Sequence, residues 1–232
     1  MTPRVILSCE HALCRVPARY QHVFRGAERQ LRSHRGSDPG ALELARHLAR
    51  ALDAPLFSAP ATRLLVDPNR SLGHRNLFSE WSRTLPVEER QRIVGQYWLP
   101  HRRSVEEAVR KAVRQGPVLH LSVHTFTPRW RGSVRPVDAA LLYDPARNPE
   151  RAFADSWVRE LRSLRPDLRL RRNFPYRGTA DGLTTHLRRH FAPGSYLGIE
   201  IEVSQRFPLG PARSWSELRS AIGTVLLAVL NA

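Results

Sequence analysis

The sequence predicts an α/β fold with a mostly parallel central sheet, and three observations carry that reading. Short apolar runs alternate with helix-length amphipathic segments along the whole chain, the pattern of strands joined by helical crossovers. Two of the runs, "PVLHLSVH" at 117–124 and "YLGIEIEVS" at 196–204, are largely apolar, as buried central strands are. No repeat, linker or low-complexity stretch divides the 232 residues, so they read as one domain, 1–232, of a length ordinary for a single α/β unit.

Taken in order, "RVILSC" at 4–9 is strand-like. The segment 38–53, "DPGALELARHLARALD", reads as a helix with Asp38 as N-cap and Pro39 at the first helical position. "APLFSA" and "RLLVD" follow as two strands, and 86–116 as a long helical segment that Pro100 should kink or split. "PVLHLSVH" is then a strand ending at His124, and "DAALLYD" another. "NPERAFADSWVRELRSL" is helical, "LRLRR" a short strand and "DGLTTHLRRHF" a helix. "YLGIEIEVS" is a late strand, and "SWSELRSAIGTVLLAVLNA" closes the chain as a helix.

Hydrophobic content of 41% and charged content of 25% are those of a folded protein. The formal net charge of +16 raises the question of a polyanionic partner, yet all but one of the 37 Lys and Arg residues are arginine, and they are scattered rather than blocked. Scattered arginine argues against nucleic acid and for small anionic substrates. Cys9 and Cys14, the only cysteines, exclude a disulfide framework and a four-cysteine zinc module. No apolar run approaches the ~18 residues of a membrane span or forms a signal-like segment. A cytoplasmic protein without a membrane partner is the expectation.

Polar groups cluster at the ends of the expected strands, where open α/β sheets bind ligands. Glu10 and His11 follow the first strand, His34 and Asp38 precede a helix, and His124 ends a central strand. Glu200 and Glu202 are two apart on a late strand and so share a face. A catalytic zinc needs three His or carboxylate ligands, with a further carboxylate as general base. His11, Asp38 and His124 are candidate ligands, and Glu200 or Glu202 the candidate base. Each also has a plain structural use: Asp38 as a helix cap, the histidines in turns, the glutamates in pairs with arginine. Asn69 and Arg70 offer a fork for a substrate carboxylate, or else an ordinary turn. The segment 173–189 reads as a covering lid or a simple connection.

Several motifs, in one order over nearly the whole chain, resemble the N-formylglutamate amidohydrolase family. They are "SCEHA...VP" at 8–17, "HRGSDPGA" at 34–41, "TRLLVDPNRS" at 62–71, "YWLPHR" at 97–102, "LSVHTFTP" at 121–128, "VRPVDAALLYDP" at 134–145, "NFPYRGTADG" at 173–182 and "IEIEVSQ" at 199–205. The resemblance implies a three-layer phosphorylase/hydrolase-like fold with a mixed, mostly parallel central sheet flanked by helices, akin to zinc carboxypeptidases, aspartoacylases and muramoyl-alanine amidases. It also implies hydrolysis of a linear amide C–N bond in a small carboxylate-bearing acyl-amino acid such as N-formyl-L-glutamate, in histidine degradation. The cofactor implied is Zn2+ or another divalent metal, with His11, Asp38 and His124 matching the ligand positions of the related amidases. Glu202, in the pattern Glu-aliphatic-any-Gln, matches the general base, with Glu200 as second choice. Asn69-Arg70 resembles a carboxylate-binding pair, and Arg135 is expected to aid substrate binding or the developing oxyanion. Two other readings stay open: the same machinery acting on another acyl-amino acid or a peptide, and a metal-free basic module for nucleic acid.

Overall fold

A computed structural model describes residues 2–232. In chain order the elements are β1 (Arg4–Cys9), α1 (Glu28–Leu31), α2 (Ala41–Ala51), β2 (Leu56–Ser58), α3 (Val87–Ile93), α4 (Leu99–Val113), β3 (Val118–Phe126), β4 (Arg129–Trp130), β5 (Ser133–Val134), β6 (Ala139–Leu142), α5 (Asn148–Leu164), β7 (Leu170–Arg172), α6 (Leu183–Arg188), β8 (Tyr196–Ser204) and α7 (Ala212–Asn231). Six strands form the main sheet in the order β2-β1-β3-β8-β6-β7, and β4 and β5 form a small separate hairpin. All neighbours in the main sheet are parallel except the antiparallel pair β6 and β8. The sheet is therefore mixed and mostly parallel; the alternation of apolar runs predicts its parallel character, and the family resemblance its mixed one.

Helices cover both faces. Leu44 and Leu48 of α2, Trp157 and Leu161 of α5, and Leu218 and Ile222 of α7 share one core with Leu7, Leu121 and Ile201 of the sheet. On the other face Val105 and Val109 of α4 and Leu183 and Leu187 of α6 pack on Ile6, Val118 and Tyr196. The three layers follow from residues that must hide apolar surface on both sides of β1, β3 and β8. All nine residues of β3 are buried, so its polar members need partners. His120 finds them in Ser8 Oγ at 2.7 Å and Tyr196 Oη at 2.8 Å.

Three local expectations differ from the fold, and a fourth, the division of 86–116 near Pro100, is met. "RLLVD" forms turns rather than a strand: Leu65 and Val66 are buried in a satellite core with Tyr20, Phe24 and Ile93, away from the sheet. A short apolar run reports burial, and burial alone does not select extended backbone. The helix expected from 38 begins at Ala41, because Gly40 takes φ 82° and residues 38–40 form a turn closed by Ala41 N–H to Asp38 O at 3.0 Å. Asp38 caps nothing with its side chain. The segment 86–116 is divided by a π-helical stretch at Val94–Trp98, directly before the turn that holds Pro100. Finally, β3 continues two residues beyond His124 to Phe126.

The segment 173–182 is clamped to the end of β6. Asn173 Oδ1 accepts from Tyr143 N and from Gly178 N, both at 3.0 Å, and Arg188 Nη1 donates to Gly178 O at 2.5 Å. A Cβ at Gly178 would lie 2.1 Å from Tyr143 N, on backbone that cannot yield. Gly178→Ala is expected to lower stability by about 1–3 kcal/mol, the usual cost of overpacking. Gly194→Ala, where an added Cβ meets nothing within 4 Å, is the control. Urea denaturation midpoints compare the two, and an unshifted midpoint for Gly178→Ala would contradict this packing.

Candidate active site

The parallel register brings four separated segments to one edge of the sheet. β1 ends at Cys9 and the chain turns through Glu10 and His11. β3 and β8 run side by side with Ser122 opposite Glu200 and His124 opposite Glu202. β1 is the neighbour of β3, and from β1 the chain passes through α2 to β2 on the opposite side. This reversal of strand order opens a crevice at the carboxyl ends. The turn at 38–40 is fastened there by Asp38 N–H to His11 O at 2.9 Å.

His11, Asp38 and His124 converge, with one ligand-type atom from each lying within 4.8 Å of the others. Asp38 Oδ2 is 3.2 Å from His11 Nδ1 and 2.9 Å from His124 Nδ1. The far nitrogen of each ring is held by another carboxylate. His11 Nε2 meets Asp67 Oδ1 at 2.9 Å, and His124 Nε2 meets Glu10 Oε2 at 3.0 Å. Glu10 Oε2 also accepts from Ser122 Oγ at 2.6 Å, and Asp67 Oδ1 accepts from Asn69 N at 2.9 Å. Both rings are thus fixed from behind with their Nδ1 atoms toward one point. Two imidazoles and a carboxylate, with carboxylates behind the imidazoles, are a donor set that fits a divalent ion.

The charge balance agrees with that fit. Glu10, Asp38, Asp67 and Glu202 are all buried, and the permanent cation bonded among them is Arg63, with Arg70 and Arg102 nearby. Its Nη2 lies 2.9 Å from Asp67 Oδ2, and its Nη1 is 3.5 Å from Asp38 Oδ1 and 3.0 Å from His11 Nδ1. A positive charge is already drawn to the point where the donors meet. Burial works against the charge on Asp38 and Asp67, yet the neighbouring histidines and Arg63 outweigh it and hold both carboxyls well below their usual range. Burial likewise opposes a charged His124, but its bonds to Asp38 and Glu10 raise its pKa well above the ordinary value.

Glu202 behaves differently. Burial, with the negative charges of Asp38 and Glu200 added, pushes its pKa up to about 8, against the pull of His124 and Arg63. Its Oε2 has no hydrogen-bond partner among the described residues. Glu200, by contrast, accepts from Thr184 Oγ1 at 2.6 Å. Neither glutamate forms an ion pair with arginine among the described residues, so that structural use of the pair is not realised.

The other expected residues divide. Asn69 and Arg70 border the same crevice, an inner chamber of about 160 Å³ with the histidines and both glutamates on its walls. They sit in a turn, with Arg70 N–H on Asp67 O at 3.0 Å. Asn69 Oδ1 accepts from Leu183 N at 2.7 Å, and Arg70 Nη1 donates to Asp181 O at 2.5 Å. Arg135 stands beside that chamber rather than on its wall: its guanidinium packs on the rings of Trp130 and Tyr176, 5.3 and 5.4 Å from their centroids, and Tyr176 lines the chamber. His34 too stands apart from the cluster, against Trp130. Sequence reading assigned no role to Glu10, Asp67 or Arg63. Glu10 adjoins His11, and Arg63 and Asp67 are four apart in one motif, but nothing local says which histidine a carboxylate will face.

The match to a known family spans the segments that build this site. The family model described as N-formylglutamate amidohydrolase matches residues 3–207. The chain belongs to the N-formylglutamate amidohydrolase family. It is accordingly an N-formylglutamate amidohydrolase-like hydrolase. A search of curated proteins found no match. Among solved structures, a gene product from Agrobacterium tumefaciens superposes with a TM-score of 0.77 at 26% identity, covering 98% of this chain and 92% of that one. An N-formylglutamate amidohydrolase from Ralstonia eutropha gives a TM-score of 0.72 at 19% identity, covering 99% and 94%. The shared fold extends over essentially the full length of both.

A carboxyl with its folded pKa raised from 4.5 to about 8 binds its proton more tightly folded than unfolded, so its ionisation costs stability as pH rises through that window and no further above it. In chelator-treated protein, Glu202→Gln removes this loss. The stability of Glu202→Gln relative to the parent is expected to rise by more than about 1.4 kcal/mol, the equivalent of one pKa unit, between pH 5 and pH 8. Parallel pH profiles from denaturant titrations would count against a buried, unpaired Glu202.

Proposed function

We propose that this enzyme is a metal-dependent amidohydrolase that cleaves the linear amide bond of an N-formyl- or N-acyl-amino acid, N-formyl-L-glutamate being the nearest named substrate type. The observation that carries the reading is the convergence of His11, Asp38 and His124 with a carboxylate behind each ring, beside a glutamate that has no partner. His11, Asp38 and His124 would hold Zn2+ or another divalent ion. Such an ion supplies Lewis-acid polarisation of a carbonyl and acidifies water.

The chain's own residues do the rest. A cation held by His11, Asp38 and His124 would favour the ionised form of Glu202 against the burial that raises its pKa in the metal-free site, and its free Oε2 is then the acceptor that takes a proton from the attacking water. The same carboxyl delivers that proton to the departing amine nitrogen. Glu200, engaged by Thr184, is the less suited of the two and serves to raise its neighbour's proton affinity. Asn69 and Arg70 bind a substrate carboxylate across the inner chamber; Arg70 is bonded to a backbone carbonyl rather than to an acid, so its charge remains available. Asp67 and Glu10 orient the two imidazoles. We place the whole machinery in one catalytic domain, 1–232. The free thiols Cys9 and Cys14 suit the reducing cytoplasm, and no helix among the described residues is long and apolar enough to cross a membrane.

Elemental analysis of protein purified without chelators is expected to find about one divalent metal per chain, lost in His124→Ala. Glu202→Gln is expected to keep the metal and to lose about 10²–10⁴ in kcat, the range of general acid–base catalysis. Absence of metal after zinc is supplied, or near-normal turnover by Glu202→Gln, would overturn the assignment.

A further inference from the structure

The inner chamber opens into a second and larger one. About 350 Å³ in volume, it shares Asp38, Arg63, Arg70, Thr125 and Tyr176 with the inner chamber. A formyl group is a single carbon with its oxygen, and the inner chamber alone accommodates it. The outer chamber, of a size typical of small-ligand pockets, is not filled by the formyl group itself.

Most of its lining is polar, Arg35, Arg63, Arg70 and Arg83 included, and one wall is aromatic. Trp130, on the β4–β5 hairpin, and Tyr176, on the 173–182 segment, are 46% and 47% exposed and line the outer chamber together with Phe78 and Phe126. Large aromatic surface left in water on one wall of a cleft gains when a ligand covers it. The wall is also held in place. Arg135 lies against the rings of Trp130, Tyr176 and Phe126, 5.3, 5.4 and 6.0 Å from their centroids. Its donors meet Thr127 O, Thr127 Oγ1 and Tyr176 Oη at 3.3–3.5 Å, and it forms no ion pair among the described residues. This is the use the structure gives to an arginine that stays out of the inner chamber: it fixes an aromatic surface.

We infer that the outer chamber is an acyl-group subsite, and that the preferred substrates are N-acyl-amino acids whose acyl part carries an aromatic ring rather than formyl. The inference rests on the amidohydrolase reading of the inner site. With the amino acid's carboxylate at Asn69 and Arg70 and the amide at the His11–Asp38–His124 cluster, the acyl substituent leads past Asp38 and Thr125 toward Phe126 and Trp130.

N-benzoyl-L-glutamate and N-formyl-L-glutamate differ only at that group and are the probes. Calorimetry on metal-loaded Glu202→Gln, which retains bound substrate, is expected to give a Kd for the benzoyl compound at least tenfold below that for the formyl compound. Adding Trp130→Ala should reduce this preference to under threefold without changing formyl binding, and Trp130→Phe should restore most of it. Equal affinities, or an equal loss for both ligands in Trp130→Ala, would overturn the subsite. Turnover by the parent separates the two claims. The benzoyl preference in binding with neither compound hydrolysed supports the subsite and refutes the amidohydrolase reading. Hydrolysis of the formyl compound with no preference in binding does the reverse.

Discussion

The site depends on a single buried carboxylate, Asp38, held between two imidazoles. One acid facing two rings at 3.2 and 2.9 Å is stable in a dry environment only if each ring is itself held and the summed charge is balanced. Asp67 and Glu10 meet the first condition and Arg63 part of the second. The cluster therefore cannot be taken residue by residue. Removing one carboxylate alters the proton affinity of a ring on the far side, because the groups share the same low-dielectric volume.

That arrangement dictates much of what surrounds it. Asp67 and Asn69 reach the cluster from a non-repetitive segment, which needs its own apolar support from Tyr20, Phe24, Leu65, Ile93 and Trp98. Trp98 Nε1–H donates to Arg70 O at 2.9 Å, and Arg102 Nη1 donates to Pro68 O at 3.0 Å. A turn that carries polar groups into a protein has to be fastened from outside, since its backbone forms no sheet ladder of its own. The π-helical stretch before Pro100 lies in the chain that supplies these fasteners, and π-turns are frequent at such places.

Much of the fold was legible in the sequence, for a physical reason. Strands such as 4–9 and 196–204 and helices such as 148–164 follow from local periodicity, which sheets and helices impose on any chain that buries one or both faces. Where the apolar signal was short, as in "RLLVD", it reported burial and not geometry, and the segment became turns around a satellite core. Asp38 shows the same limit. As a helix-start residue before Pro-Gly it reads as a cap, but Gly40 adopts a left-handed conformation and frees the carboxylate to turn inward.

The sequence by itself determined which residue types stand at the strand ends, and with the motif order it pointed to His11, Asp38, His124 and Glu202 and to the hydrolase family. Only the tertiary structure decided that Glu10 and Asp67 back the two histidines, that Glu200 is engaged while Glu202 is not, and that Arg135 serves an aromatic wall away from the cluster. The division has a plain cause. A side chain's position along a strand is a local property, whereas its partner is set by strand register and loop closure between residues as far apart as 56 positions for His11 and Asp67 and 86 for Asp38 and His124. Such pairings exist only once the sheet has closed.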